Sequence, residues 1–404
     1  METTAASSNR RSRTVESSVL AFATDLLDEG PDRFFGNLAE RAGVGGVSLA
    51  SVYHEARDIF PHNPHRVVRY LEPGAAYFRP DPAAWRGRRL APTASTAIGD
   101  RDPFAEAAGQ AARRGMRLHA WTVFLHNDRL GFQHPDCAPA NAFGDRHLTE
   151  LCPAHPEVRE YVRTLVAELG RYGVDAVRAE SLHFHGLRHG YHHERYFEQL
   201  GPVAEALLGI CFCDHCRAAA AAAGVPADEV RDSVRTEVRR RLADEDAAAE
   251  PGRLDRLADG ALAAYVDASA ATVTSLAAEA AEVAEGLGMR LSFMDGGGPG
   301  TGWLSGIDLP ALGKAVHQVE TLGYAASAEA VREKVAAFAL HGVRPQEMAV
   351  ILRPMAEDCD GAANLAAKVA VLRELGVPEV EFYHYGLMRL SSMDRIGAAL
   401  HQLG

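Results

Sequence analysis

Apolar positions along the chain follow two alternating rhythms. Compact runs at 19–24, 47–53, 117–125, 174–179, 290–294, 315–322, 348–352 and 380–384 predict eight strands. Between them, apolar residues recur every three to four positions. That spacing predicts helices over 31–42, 103–114, 156–172, 262–287, 328–341, 362–375 and 393–403, with a short turn near Leu309. Pro31 suits the first turn of its helix, and Gly43 with Gly45 ends it.

Strands that alternate with helices build parallel βαβ units. Eight such units predict a closed (β/α)8 barrel, here a single domain over 19–404 behind a polar tail, 1–18. No Gly-rich dinucleotide fingerprint follows the first strand, which argues against an open nucleotide-binding sheet and an organic cofactor. Two stretches exceed an ordinary βα connection: 54–102, with a hairpin expected over 67–78, and 181–259. Both begin where a strand ends, on the face where barrels carry their active sites.

Composition narrows the function classes. Of 404 residues, 47% are hydrophobic and 24% charged, enough for a large core. The formal net charge of −12 excludes a nucleic-acid footprint or an anionic membrane surface. Arg235, Arg239, Arg240 and Arg241 lie amid acids and read as a solvated helix face. No signal-like apolar stretch and no run of 18 apolar residues is visible, so the expected setting is cytoplasmic, without a membrane span. Oligomer formation stays open.

In a reducing compartment cysteines act as ligands or buried thiols. Cys211, Cys213 and Cys216 place three thiols within six residues, and Cys152 is available as a fourth; His215 or Cys137 are the substitutes. Thiolate is a preferred ligand of zinc, and four thiolates leave the ion no open position. The expectation is a structural Zn²⁺ site.

The run Leu151-Cys152-Pro153-Ala154-His155-Pro156, a strand ending in Glu180, and then Cys211-x-Cys213-x-x-Cys216 resemble the family 42 glycoside hydrolases, β-galactosidases of clan A. The resemblance covers the middle third of the chain. It implies a TIM barrel, zinc on the four cysteines, and Glu180 at the acid/base position. Two positions depart from the family: Ala179 stands where Asn precedes the glutamate, and strand seven ends Leu352-Arg353-Pro354 with no glutamate.

Glu180 should project at the barrel mouth, where a partly shielded carboxyl can protonate a glycosidic oxygen. Cleavage by the two-carboxylate route needs a second acid, for which Glu320 is the first candidate and Asp295 the second. Sugar contacts are expected from His54, Trp121, His126, Asn127, His183, His185, Tyr191, His192, Arg353, Tyr383 and His384. Three functions compete. The leading one is a glycosidase acting on a small glycoside or oligosaccharide. A second is a metal-dependent hydrolase, lyase or isomerase using the histidines, and a third is a carbohydrate-binding barrel without catalysis.

Overall fold

The computed structural model describes residues 15–191 and 193–402. Eight strands form its centre: β1 (Glu16–Ala21), β2 (Gly46–Tyr53), β3 (Arg117–Val123), β4 (Ala176–Glu180), β5 (Arg290–Asp295), β6 (Gln318–Leu322), β7 (Met348–Leu352) and β8 (Glu379–Phe382). Each pairs in parallel with the next, and β8 pairs with β1 to close the ring. The chain is a (β/α)8 barrel. β7, Met-Ala-Val-Ile-Leu, is buried along its whole length, as required when one side faces the barrel interior and the other the surrounding helices.

Helices form where caps and pattern agree. Over Pro103–Arg114 the Asp102 carboxylate accepts from the Ala105 amide at 3.2 Å, Pro103 opens the first turn, and Arg113 with Arg114 faces the negative end of the dipole. Gly115, at φ 63°, takes the left-handed position that ends the helix. The helical stretch Leu254–Gly286, whose main part is the helix Ala261–Gly286, is long and apolar enough, by length and composition, to cross a membrane. Here Val273, Leu276 and Ala277 pack into the barrel core, while Leu262, Tyr265 and Val266 pack into a second one.

Several boundaries differ from those read in the sequence. β1 starts at Glu16 rather than residue 19, with Ser18 buried inside the barrel. Residues 1–14 of the expected tail lie outside the described residues. The hairpin after β2 pairs Ala56–Ile59 with Val68–Leu71, earlier than the 67–78 expected, and Ala75–Ala76 instead extends the edge of β2. The connection after β4 carries four α-helices and a 3-10 turn ahead of the long helix Ala261–Gly286. It shares with that helix an apolar cluster that includes Val230, Val234 and Val238 at four-residue spacing. A third long connection, 124–155, follows β3 and has only short helical turns.

Polar side chains fill the lower barrel. Arg178 of β4 is fully buried, ion-pairs with Glu379 and with Glu381 at 3.3 Å, and donates to Ser292 at 2.8 Å. Ser18 and Ser48 donate to Glu381 at 2.7 and 2.6 Å, and His119 lies 3.5 Å from it. A buried charge of this kind is tolerated only when paired and hydrogen-bonded.

Candidate active site

Inward-facing residues at the upper ends of the strands surround a cavity of about 630 Å³. Glu180, the last residue of β4, projects into it beside Trp121, His183, His185, Arg353 and Tyr383. The Trp121 Nε1–H donates to Glu180 Oε2 at 2.5 Å. Tyr53, Tyr324 and His189 complete the polar wall. Tyr53 and Tyr383 share a hydrogen bond, and burial raises both phenols above their ordinary range. They therefore stay protonated and act as donors. Arg353 stacks 4.7 Å over Tyr324, and its Nε donates to Asp358 at 2.5 Å.

Among the described residues lining this cavity, Glu180 is the one acid. Glu320 and Asp295, expected opposite it, are elsewhere. Glu320 is fully buried in the polar interior, 4.0 Å from Arg178. Burial raises its pKa well above the usual value, and neighbouring Glu381 adds to the rise. Burial would raise Glu381 as well, but Arg178 and His119 outweigh it and hold that carboxylate low. The pair thus carries its proton on Glu320. Asp295 is out of phase: Met294 and Gly296 line the cavity, so the intervening side chain turns outward. There it accepts from the Gly297 and Gly298 amides at 3.1 and 3.0 Å.

Five expected sugar contacts, His54, His126, Asn127, Tyr191 and His384, also lie off this cavity. Asn127 is buried and caps the helix Asp128–Gln133, accepting from the Leu130 amide at 3.0 Å. His384 packs beneath the floor, 4.2 Å from the Phe22 ring. His54 stacks on Tyr53 at 4.3 Å and on His126 at 4.6 Å. Tyr191 lines a neighbouring cavity with Asp128, Arg129 and Thr149. His192 lies outside the described residues.

Beside the wall formed by His183, His185 and His189, sequence reasoning missed Glu150. It is buried, with His185 Nδ1 at 2.7 Å and His189 Nδ1 at 2.5 Å from its two oxygens. Burial alone would raise its pKa; the two imidazoles outweigh that and lower it. His126 is buried against the same group, and its pKa falls to about 3 because burial disfavours its charged form. Glu150 sits in an irregular connection, so no periodicity marked it. Its one signal was a place two residues before Cys152.

Four cysteines from the connections after β3 and β4 form a second, buried constellation. Cys152 Sγ lies 3.5, 3.6 and 4.0 Å from the sulfurs of Cys216, Cys213 and Cys211. Tetrahedral bonds of about 2.3 Å put sulfurs about 3.8 Å apart, so the four thiols fit a zinc ion. They are too far apart for disulfides, whose sulfurs are about 2.05 Å apart. The Ala140 amide donates to Cys211 Sγ at 3.4 Å, an outer contact suited to a thiolate. Cys137 belongs to a different group, with His155 and Glu157.

No family model and no curated protein matches the sequence. Solved structures are similar in fold. One is α-L-fucosidase isoenzyme 2 from Paenibacillus thiaminolyticus, at 12% identity and TM-score 0.51, with 96% of this chain and 49% of that one covered. Another is the β-galactosidase of the psychrophilic Marinomonas ef1, at 10% identity and TM-score 0.55, with 96% and 59% covered. The chain thus spans about half to three-fifths of their lengths. At these identities the likeness establishes the barrel.

Proposed function

We propose that this chain is a glycosidase-like enzyme that cleaves a small glycoside or oligosaccharide, with Glu180 as the proton donor. The observation that carries the reading is Glu180 itself. It stands at the C-terminal end of β4, the one acid among the described lining residues of a cavity walled by an indole, three phenols and three imidazoles. Aromatic faces and directed donors are the usual means of holding a sugar, and the end of a barrel strand is the usual place for its catalytic acid. The similarity of fold to a fucosidase and a β-galactosidase supports it, as does the sequence resemblance to family 42.

Glu180 donates its proton to the leaving-group oxygen while Trp121 fixes the carboxyl's orientation. Tyr53 donates to Tyr383, whose own O–H is left, with the Arg353 guanidinium, to donate to sugar hydroxyls. With Glu180 the one acid among the described lining residues, the opposite face of the sugar is left to an oxygen of the substrate itself, as in hydrolases outside the two-carboxylate scheme. Once the leaving group has gone, the Glu180 carboxylate takes the proton of the water that completes hydrolysis. Cys152, Cys211, Cys213 and Cys216 hold a zinc ion that braces the connections after β3 and β4, in a reducing cellular setting. A closed thiolate site contributes folding energy, not chemistry. The test is hydrolysis of a panel of aryl glycosides. Saturable turnover supports the reading; sugar binding without turnover points to a binding barrel.

A further inference from the structure

A second group of ligating side chains stands at the cavity's edge, apart from the thiols. We propose that His126, Glu150 and His189 bind one first-row divalent transition-metal ion there. Their ligand atoms lie within 4.8 Å of one another. Bonds of about 2.0–2.2 Å put donor atoms about 3.4 Å apart. His126 therefore closes in, while His189 Nδ1 and Glu150, hydrogen-bonded at 2.5 Å, exchange that bond for the ion and separate by about 1 Å. Two imidazoles and a carboxylate are the donors of zinc, iron and manganese sites, and three protein ligands leave positions open.

Three further observations point to an ion. His126 is 7% exposed, and its Nε2 is buried without a hydrogen-bond partner. Asp128 Oδ2 lies 3.7 Å from that nitrogen, which adds negative charge to the group. The carboxylate of Glu150 has an outer support: His185 Nδ1 holds Oε2 at 2.7 Å, the partner that orients a ligating oxygen. The backbone keeps the set in place. His126 and Glu150 form an isolated antiparallel bridge, the Asn127 amide donates to the Thr149 carbonyl at 2.9 Å, and His147 Nε2 lies 2.8 Å from the His189 carbonyl oxygen.

His185 and His189 also line the cavity of Glu180, so the open positions are reached from the substrate side. The ligand class is an oxygen donor of the substrate, a hydroxyl pair or a carboxylate. This site would add substrate anchoring to the proposed hydrolase, yet it does not depend on Glu180 being the acid.

The test is metal binding by the full chain, stripped with a chelator and titrated with Co²⁺ and then Zn²⁺. Two ions per chain are expected, one with sulfur-to-cobalt charge-transfer absorption and one without it. His126→Ala and Glu150→Gln should each lose the second ion and keep the first, whose sulfur absorption certifies that the variant is folded. Cys211→Ser should do the reverse. His185→Ala should weaken the second ion by about 10–100-fold, the usual effect of removing an outer partner. A wild-type chain that binds only the thiolate ion overturns the proposal. So does a second ion of unchanged affinity in either His126→Ala or Glu150→Gln. Activity is not the readout, so failure here leaves the role of Glu180 standing, and the converse.

Discussion

Trp121 Nε1 donates to Glu180 Oε2 at 2.5 Å, across adjacent strands of the barrel. Trp121 is nearly fully buried, with Tyr53 4.9 Å and His384 5.7 Å from its ring. It therefore holds the carboxyl through a rigid donor. As Glu180 gives up its proton, this becomes a hydrogen bond to a charged group, which contributes about 1.5–3 kcal/mol.

Trp121→Phe keeps an aromatic ring in the site, at the cost of a small cavity, and removes that donor. It should lower kcat about 10–100-fold, the equivalent of that hydrogen bond. The thermal unfolding midpoint should fall by no more than a few degrees, the cost of about 1–2 kcal/mol for the small cavity. Steady-state kinetics on the best aryl glycoside measures this, and an unchanged kcat removes Trp121 from the machinery.

The barrel interior makes a prediction about pH. Glu320 titrates near 4.5 in an unfolded chain and well above that in the fold. A raised carboxyl favours the folded state below 4.5 and loses that advantage as pH rises through its folded value. Glu320→Gln has no proton to lose. Its stability relative to wild type should be nearly level at pH 4 and rise with pH, by more than about 1 kcal/mol at pH 9. Urea unfolding across that range gives the difference; a flat or falling profile contradicts the proton assignment. Arg178→Met, which strands Glu379 and Glu381, should cost about 3–5 kcal/mol at neutral pH.

The thiol site makes a third. Cys211→Ser, or removal of zinc by a chelator, should lower stability by more than about 4 kcal/mol, the range in which loss of a structural metal falls. Metal content and unfolding midpoint, measured on one preparation, should fall together. Independence of the two contradicts a structural role.

Which residues were legible in the sequence follows from physical causes. Strand β7 and the helices Pro103–Arg114 and Ala362–Leu375 lie where the pattern placed them. In each, the period of the apolar residues agrees with the local stop signals. Asp295 failed on phase. Phe293, Met294 and Asp295 are all buried, and a strand covered on both sides does not announce which residue faces inward. Glu320 failed on depth. Its phase is correct, but in a barrel of shear eight each step around the ring drops the level by about one residue. Two strands on from β4, the residue level with Glu180 is Leu322, which does line the cavity. Glu320 lies one inward position below, among Arg178 and Glu381. Stagger is a property of the closed sheet and leaves no local mark. Glu150 and His189 come from separate irregular connections, so their meeting is visible only in three dimensions. The meeting of the four thiols was legible because three of the cysteines share one turn.

The central claim is that Glu180 donates the proton. Glu180→Gln retains the carbonyl that accepts from Trp121 and loses the titratable proton. Turnover of glycosides with poor leaving groups should fall by roughly 10²–10⁴, the usual contribution of a positioned acid. Substrates with activated aryl leaving groups should lose much less, and binding of the sugar product should be retained. The direct measurement is kcat for wild type and Glu180→Gln over a series of aryl glycosides of graded leaving-group pKa. The account predicts a loss that steepens as the leaving group becomes more basic. Wild-type kcat values across the series, or one uniform loss regardless of leaving group, would contradict it.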